Sequence, residues 1–348
     1  MSENERCASI VRSMLLPAKR GHPNPGPMNI GLYIQHIIRD AVDSHIETME
    51  SSDSGNPIDP LEQYCIATEY YLGTTVRQDY EKAFKWYSLA AAQGEPHAIC
   101  MIGKMYEYGQ GVQKSYPKAL YYFGRAVQYN ITQAKYELGL MHQAGRGIPV
   151  DCATAAKLWK SAADDGYAKA QFGLALLFDE GFGVERSREK AFEYYLLAAR
   201  QGEPMAMVRV GSRYEEGIGT PQSYPDAIRW FRAAADKGNV RALFELGWMA
   251  YFGLGREASV EESKRLVSIA VERGVVETIR TEALSLDACA QIRLGWLYDT
   301  GWGVEPSPYI ALAWYSGAKV LGLRKADELI DGLTKRIMDS QGEGTTSD

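Results

Sequence analysis

Six glycines at a single spacing constrain this chain more than any other feature. Gly73, Gly109, Gly145, Gly181, Gly217 and Gly253 fall 36 residues apart, and Gly301 follows after 48, one period plus 12. A second glycine keeps the register at Gly111, Gly147, Gly183, Gly219, Gly255 and Gly303, with Thr75 in the first copy. An alanine does the same at Ala83, Ala119, Ala155, Ala191, Ala227 and Ala311, with Ser263 in the sixth. Self-similarity at a period of this length signals stacked supersecondary units, none of which buries its apolar face alone. The chain is therefore expected to be a solenoid of seven copies, and its 348 residues count repeats rather than separate domains.

Each copy reads as two helices joined by the glycine loop. Gly103, Gly139, Gly211, Gly247 and Gly295 sit mid-way in the first helix, with Ala67 and Ala175 in the other two copies. Glycine inside a helix costs about 1 kcal/mol relative to alanine, so its return implies a compensating close approach, most simply by the backbone of the neighbouring helix. The pairs Trp86-Tyr87, Tyr122-Phe123, Tyr194-Tyr195, Trp230-Phe231 and Trp314-Tyr315 fall in the second helix and read as knobs filling the core between repeats.

Outside the repeats, residues 1–29 are expected to be flexible and end in the proline- and glycine-rich GHPNPGPMN. Residues 30–60 hold an amphipathic helix, with Ile34, Ile37, Ile38, Ala41, Val42, Ile46 and Met49 on one stripe, followed by a polar linker. That stripe suits a cap on the first repeat or a docking helix for another chain. The seven repeats occupy 61–323. The extra 12 residues, 275–286, are expected to lengthen the first helix of the seventh copy at its start and protrude from the stack, as a contact element or as tolerated drift. A capping helix over 324–338 and a disordered tail over 339–348 complete the chain.

Composition narrows the function. No apolar run approaches the roughly 20 residues of a membrane span. A net charge of −6 argues against nucleic acid, which needs a basic face, and favours basic or neutral partners. The five cysteines ignore the repeat register, so they read as reduced thiols in an intracellular, cytoplasmic protein. A mitochondrial leader is the alternative, suggested by Arg6, Arg12, Lys19 and Arg20 among apolar residues and opposed by Glu3 and Glu5.

The pattern A-x-x-x-L-G-x-x-Y-x-x-G-x-G-V followed by K-A-x-x-W-Y-x-x-A-A-x-x-G resembles the Sel-one-like repeat family, a branch of the tetratricopeptide superfamily. The fifth copy carries it as Ala206, Val210, Gly211, Tyr214, Gly217, Gly219, Ala227, Trp230, Phe231, Ala234, Ala235 and Gly238. The sixth departs from it, with Leu266-Val267 where the aromatics belong. The resemblance implies an all-α, right-handed α-solenoid of helix-turn-helix repeats with N- and C-terminal capping helices, acting as an adaptor that binds partner proteins on its concave face. It also implies that the groove is lined at the positions one and four after the mid-helix glycine. The first column is then Thr68, Lys104, Leu140, Leu176, Ser212, Trp248 and Trp296, and the second Tyr71, Glu107, Gln143, Asp179, Glu215, Tyr251 and Asp299.

Such a groove suits a protein or peptide segment with apolar anchors and basic residues. Trp248 and Trp296 are its sharpest elements, unless they pack beneath the insertion. No chemistry competes with binding. The G-x-G loops lack the preceding strand and third glycine of a nucleotide fingerprint. The five histidines show no metal-ligand spacing, so neither cofactor nor metal is expected. The expectation is a non-enzymatic scaffold. The alternatives are a regulatory subunit docking to an enzyme through its N-terminal helix, and a hydrolase or cell-wall-active protein of the same family.

Overall fold

The computed structural model describes residues 59–342. The helix expected over Ile30–Met49, the segment before it and the end of the tail lie outside the described residues. The described residues form sixteen helices and no strand. They divide into two units, one ending at Glu185 and the other beginning at Arg186, inside the fourth repeat. The first unit holds α1 (Pro60–Leu72), α2 (Tyr80–Ala92), α3 (Pro96–Tyr108), α4 (Tyr116–Gln128), α5 (Thr132–Ala144), α6 (Cys152–Asp164) and α7 (Ala168–Glu180). The second holds α8 (Arg188–Arg200), α9 (Pro204–Glu216), α10 (Tyr224–Asp236), α11 (Val240–Phe252), α12 (Val260–Glu272), α13 (Val275–Leu284), α14 (Ala288–Thr300), α15 (Pro308–Val320) and α16 (Lys325–Gly342).

The repeat hairpin follows from its caps. The first helix of a copy stops where the register glycine turns left-handed, as at Gly73 with φ 68°, whose N–H returns to Glu69 O at 2.8 Å. A short acceptor in register then starts the second helix. Asp79 accepts from the Glu81 and Lys82 amides, Asp151 from Thr154, Ser223 from Asp226 and Ser259 from Glu262.

Packing explains the mid-helix glycines, with a change of partner. A Cβ on Gly103 would lie 2.8 Å from the Phe123 ring, one on Gly139 2.3 Å from the Trp159 indole and one on Gly211 2.6 Å from the Phe231 ring. The close approach is made by a ring of the copy's own second helix, not by backbone as expected. In the sixth copy the buried Val267 takes the ring's place against Gly247. Only the second member of each aromatic pair is regularly the knob. Tyr87, Phe123, Tyr195, Phe231 and Tyr315 are fully buried, whereas Tyr122, Tyr194, Trp230 and Trp314 are half-buried.

The second loop glycine joins one copy to the next. A Cβ on Gly111 would sit 2.2 Å from the Tyr80 carbonyl oxygen at the first turn of the preceding copy's α2. The first copy has no preceding repeat among the described residues, and there Thr75 is accommodated. Its Oγ1 and N–H both donate to the Glu69 carboxylate, at 2.7 and 3.2 Å.

The 12-residue insertion is not an extension of the seventh copy's first helix. It is a separate helix, α13, bounded by Gly274 at φ 86° and Leu286 at φ 65°. Val275, Ile279 and Ala283 are buried, and α13 packs against α11, α12 and α14, so the element is built into the stack and does not protrude. After α15 the capping helix α16 runs to Gly342, four residues beyond its expected end, with Ala326 and Leu333 buried. Cys100, Cys152 and Cys289 are free thiols.

Candidate partner-binding face

The first helices of the repeats carry both expected columns, and neither is an open groove. In the first unit Thr68 Oγ1 is bonded to Tyr64 O at 2.8 Å and to Tyr87 Oη at 3.0 Å, and Lys104 lies 3.8 Å from Glu137. Leu140, Gln143 and Leu176 are half-buried, and Asp179 is buried. Tyr71 donates to Gln110 at 2.8 Å, and Glu107, 2% exposed, is paired with Arg146. Gln110 and Arg146 both follow the loop glycine of the next copy. The second column is therefore used in holding successive repeats together. Tyr251 repeats the arrangement in the second unit, its ring 5.7 Å from that of Trp302.

Trp248 and Trp296 also require correction. They are 2% and 1% exposed, and neither indole faces a partner in this state. They form the centre of an aromatic cluster, ring centroids 5.4 Å apart, joined by Phe244, Tyr251, Phe252 and Trp302. The rings touching them come from α11, α14 and the loop after α14, and the Lys325 ammonium of α16 lies over the Trp248 face. Of the remaining residues, Ser212 is half-buried and Asp299 is clasped by Arg336 at 2.6 Å.

The sequence reading missed a third column, two residues before the mid-helix glycine. Glu137, Glu245 and Arg293 occupy it, buried, and their charges are its organising feature. Arg293 Nε donates to Glu245 Oε2 at 2.6 Å and its Nη2 to Glu215 Oε2 at 3.0 Å. Arg241 donates to Glu245 at 2.7 Å and to Glu282 of α13 at 2.6 Å. The network thus ties α9, α11, α13 and α14 together. Burial pushes the Glu215 carboxyl up to about 7; Arg293 opposes this, and Glu245 and Glu216 add to it. The same cause raises Glu137 in the first unit, against Lys104. A charged residue at a register position that is Cys65 and Met101 in earlier copies was the available signal.

Beside this network lies a cavity of about 170 Å³, bounded by Glu215, Glu216, Tyr224, Trp248, Arg293 and Lys325. Glu216 is the exposed acid on its rim and accepts from the Cys289 thiol at 3.1 Å. Among the described residues no His, Cys, Asp or Glu cluster could hold a metal ion, and no helix is long and apolar enough to cross a membrane.

The model of the Sel1 repeat matches the chain seven times, at residues 63–95, 96–128, 132–167, 168–203, 204–239, 240–275 and 290–318. The chain belongs to the Sel1 repeat family. The unmatched gap between the last two Sel1 copies contains most of α13. No curated protein matches the chain. Among solved structures it is similar to a Sel1 repeat protein from Oxalobacter formigenes, at 28% identity and a TM-score of 0.61 over 70% of this chain and 98% of that one. It is also similar to a protective antigen of uropathogenic Escherichia coli displaying an SLR fold, at 27% identity and a TM-score of 0.58 over 84% and 67%. The fold is accordingly the all-α solenoid of Sel1 repeats. Sel1 repeat proteins are generally non-catalytic scaffolds for protein interaction.

Proposed function

We propose that this Sel1 repeat protein is a non-enzymatic scaffold that holds a segment of a partner protein on the first-helix face of its second unit. The cavity between Glu216, Tyr224, Trp248 and Lys325 carries the reading. It joins an aromatic floor to an exposed carboxylate, whereas Glu107 and Asp299 of the expected groove are paired with Arg146 and Arg336. A partner with basic and apolar side chains fits that combination.

A photo-crosslinking residue at Gln222, exposed on the cavity rim, tests this against the same group at Lys264, exposed on α12. In native extract the expected result is a defined adduct from position 222 and none from 264. Adducts from 264 alone, or the same set from both, would overturn the assignment of the face.

A further inference from the structure

Lys325 reaches into that cavity over two rings, where Lys82, Lys114 and Lys118 each lie over one tyrosine ring. Its Nζ lies 5.0 Å from the ring centroid of Trp248 and 4.1 Å from that of Phe252. Lys104, Lys135, Lys160 and Lys319 each have a carboxylate within 4 Å. Among the described residues Lys325 has no carboxylate at that range, and two aromatic faces hold its ammonium instead. Such a contact strengthens as water is removed. Burial holds the ammonium below the usual lysine range, with the charge of Glu215 opposing and that of Arg293 adding to the shift.

A lysine is thus already seated on an aromatic floor beside an acidic rim, and it comes from the capping helix rather than from a repeat. Its four-carbon stem lets the ammonium leave by rotation alone. The helix itself would stay, anchored by buried Ala326 and Leu333 and by Arg336 on Asp299. Departure would free the positions that the ammonium holds over Trp248 and Phe252 next to Glu216, with the Arg293 guanidinium staying 5.2 Å from the Trp248 centroid.

We propose that Lys325 is an internal stand-in for a lysine of the partner protein, and that it keeps the site closed until a lysine-bearing segment displaces it. The proposal rests on the scaffold reading above and adds the residue that is recognised and the side chain that regulates access.

The probe is a fluorescein-labelled glycine-serine octapeptide with one central lysine, measured by fluorescence polarisation on the full chain. Lys325→Gln is expected to bind it about tenfold more tightly than the unsubstituted protein, the scale of one desolvated cation–π contact. Lys325→Arg, which keeps a cation over the rings, should bind as the unsubstituted protein does. Adding Glu216→Gln to Lys325→Gln should remove most of the gain. Equal binding by the unsubstituted chain and Lys325→Gln would overturn the proposal, as would equal binding of a norleucine version of the peptide.

A second measurement needs no variant. Acetylation of Lys325, followed by mass spectrometry, should accelerate when unlabelled peptide is added, and an unchanged rate would count against displacement. The two readings fail separately. Adducts at Gln222 with no effect of Lys325→Gln leave the scaffold and remove the stand-in, whereas the reverse pattern leaves a lysine site without a protein partner.

Discussion

Leu286 holds φ at 65° with a branched side chain that is 69% exposed. The same register is Gly94, Gly166, Gly202 and Gly238 in other copies, all at positive φ, and Asn130 at φ 59° at the end of the second. The turn between copies demands the left-handed region, where a β-carbon costs roughly 1–2 kcal/mol. Leu286→Gly should therefore raise stability by about 0.5–1 kcal/mol after glycine's own entropic cost. A fall in the urea midpoint would show that leucine contacts hold this turn. Glycines at positive φ should divide by surroundings. Gly166→Ala meets open space and should cost only the strain, about 1 kcal/mol, whereas Gly111→Ala also meets the Tyr80 carbonyl and should cost more than about 2 kcal/mol. Comparable losses at the two sites would mean that the loop yields around Gly111. These positions were legible because the period exposes them, but the period did not say whether ring or backbone filled the space above Gly103.

At the level of elements, the length of the insertion alone suggests helix added to helix, and the structure shows a separate helix instead. The chain places the same left-handed turn at Gly274 and again at Leu286, and Asp287 then caps α14 by accepting from the Ala290 amide at 2.8 Å. Asp287 stands eight residues before Gly295, as Asn239 does before Gly247, so the restart was written in register. Leucine in the turn position hid it. Because α13 is the helix on which α14 packs, its buried face should matter as much as a repeat's. Ile279, fully buried, should cost about 2–4 kcal/mol on substitution by alanine. A loss below about 0.5 kcal/mol would restore the view of the segment as tolerated drift. The binding face was legible in part for a related reason. Sequence periodicity identified which helix positions share a face. It could not show that Arg336 and Lys325, from a capping helix outside the period, cover Asp299 and Trp248.

Across the molecule, the net charge of −6 suggested acids waiting for a basic partner, yet buried Glu107, Glu215 and Glu245 are paired with arginines within the chain. One guanidinium, Arg293, serves both Glu215 and Glu245, and that sharing has a pH signature. An ordinary glutamate loses its proton near 4.5, whereas the native Glu215 carboxyl keeps it to about 7 and Glu137 is shifted in the same direction. Between those values the native state binds more protons than the unfolded state, so stability must fall as pH rises, by up to about 1.4 kcal/mol per pH unit for one such group. The carboxyls of Asp151 and Asp165 are shifted down from 3.8, by hydrogen bonds from Thr154 and from Lys135 respectively, and are already ionised above pH 5 in both states. They leave the slope in this window untouched. Urea midpoints should therefore be higher at pH 5.5 than at pH 7.5. Glu215→Gln, which is neutral at both, should lose much of that difference and keep the part due to Glu137. A midpoint that rises with pH, or a Gln variant with the full slope, would mean that Arg293 holds Glu215 ionised despite its burial.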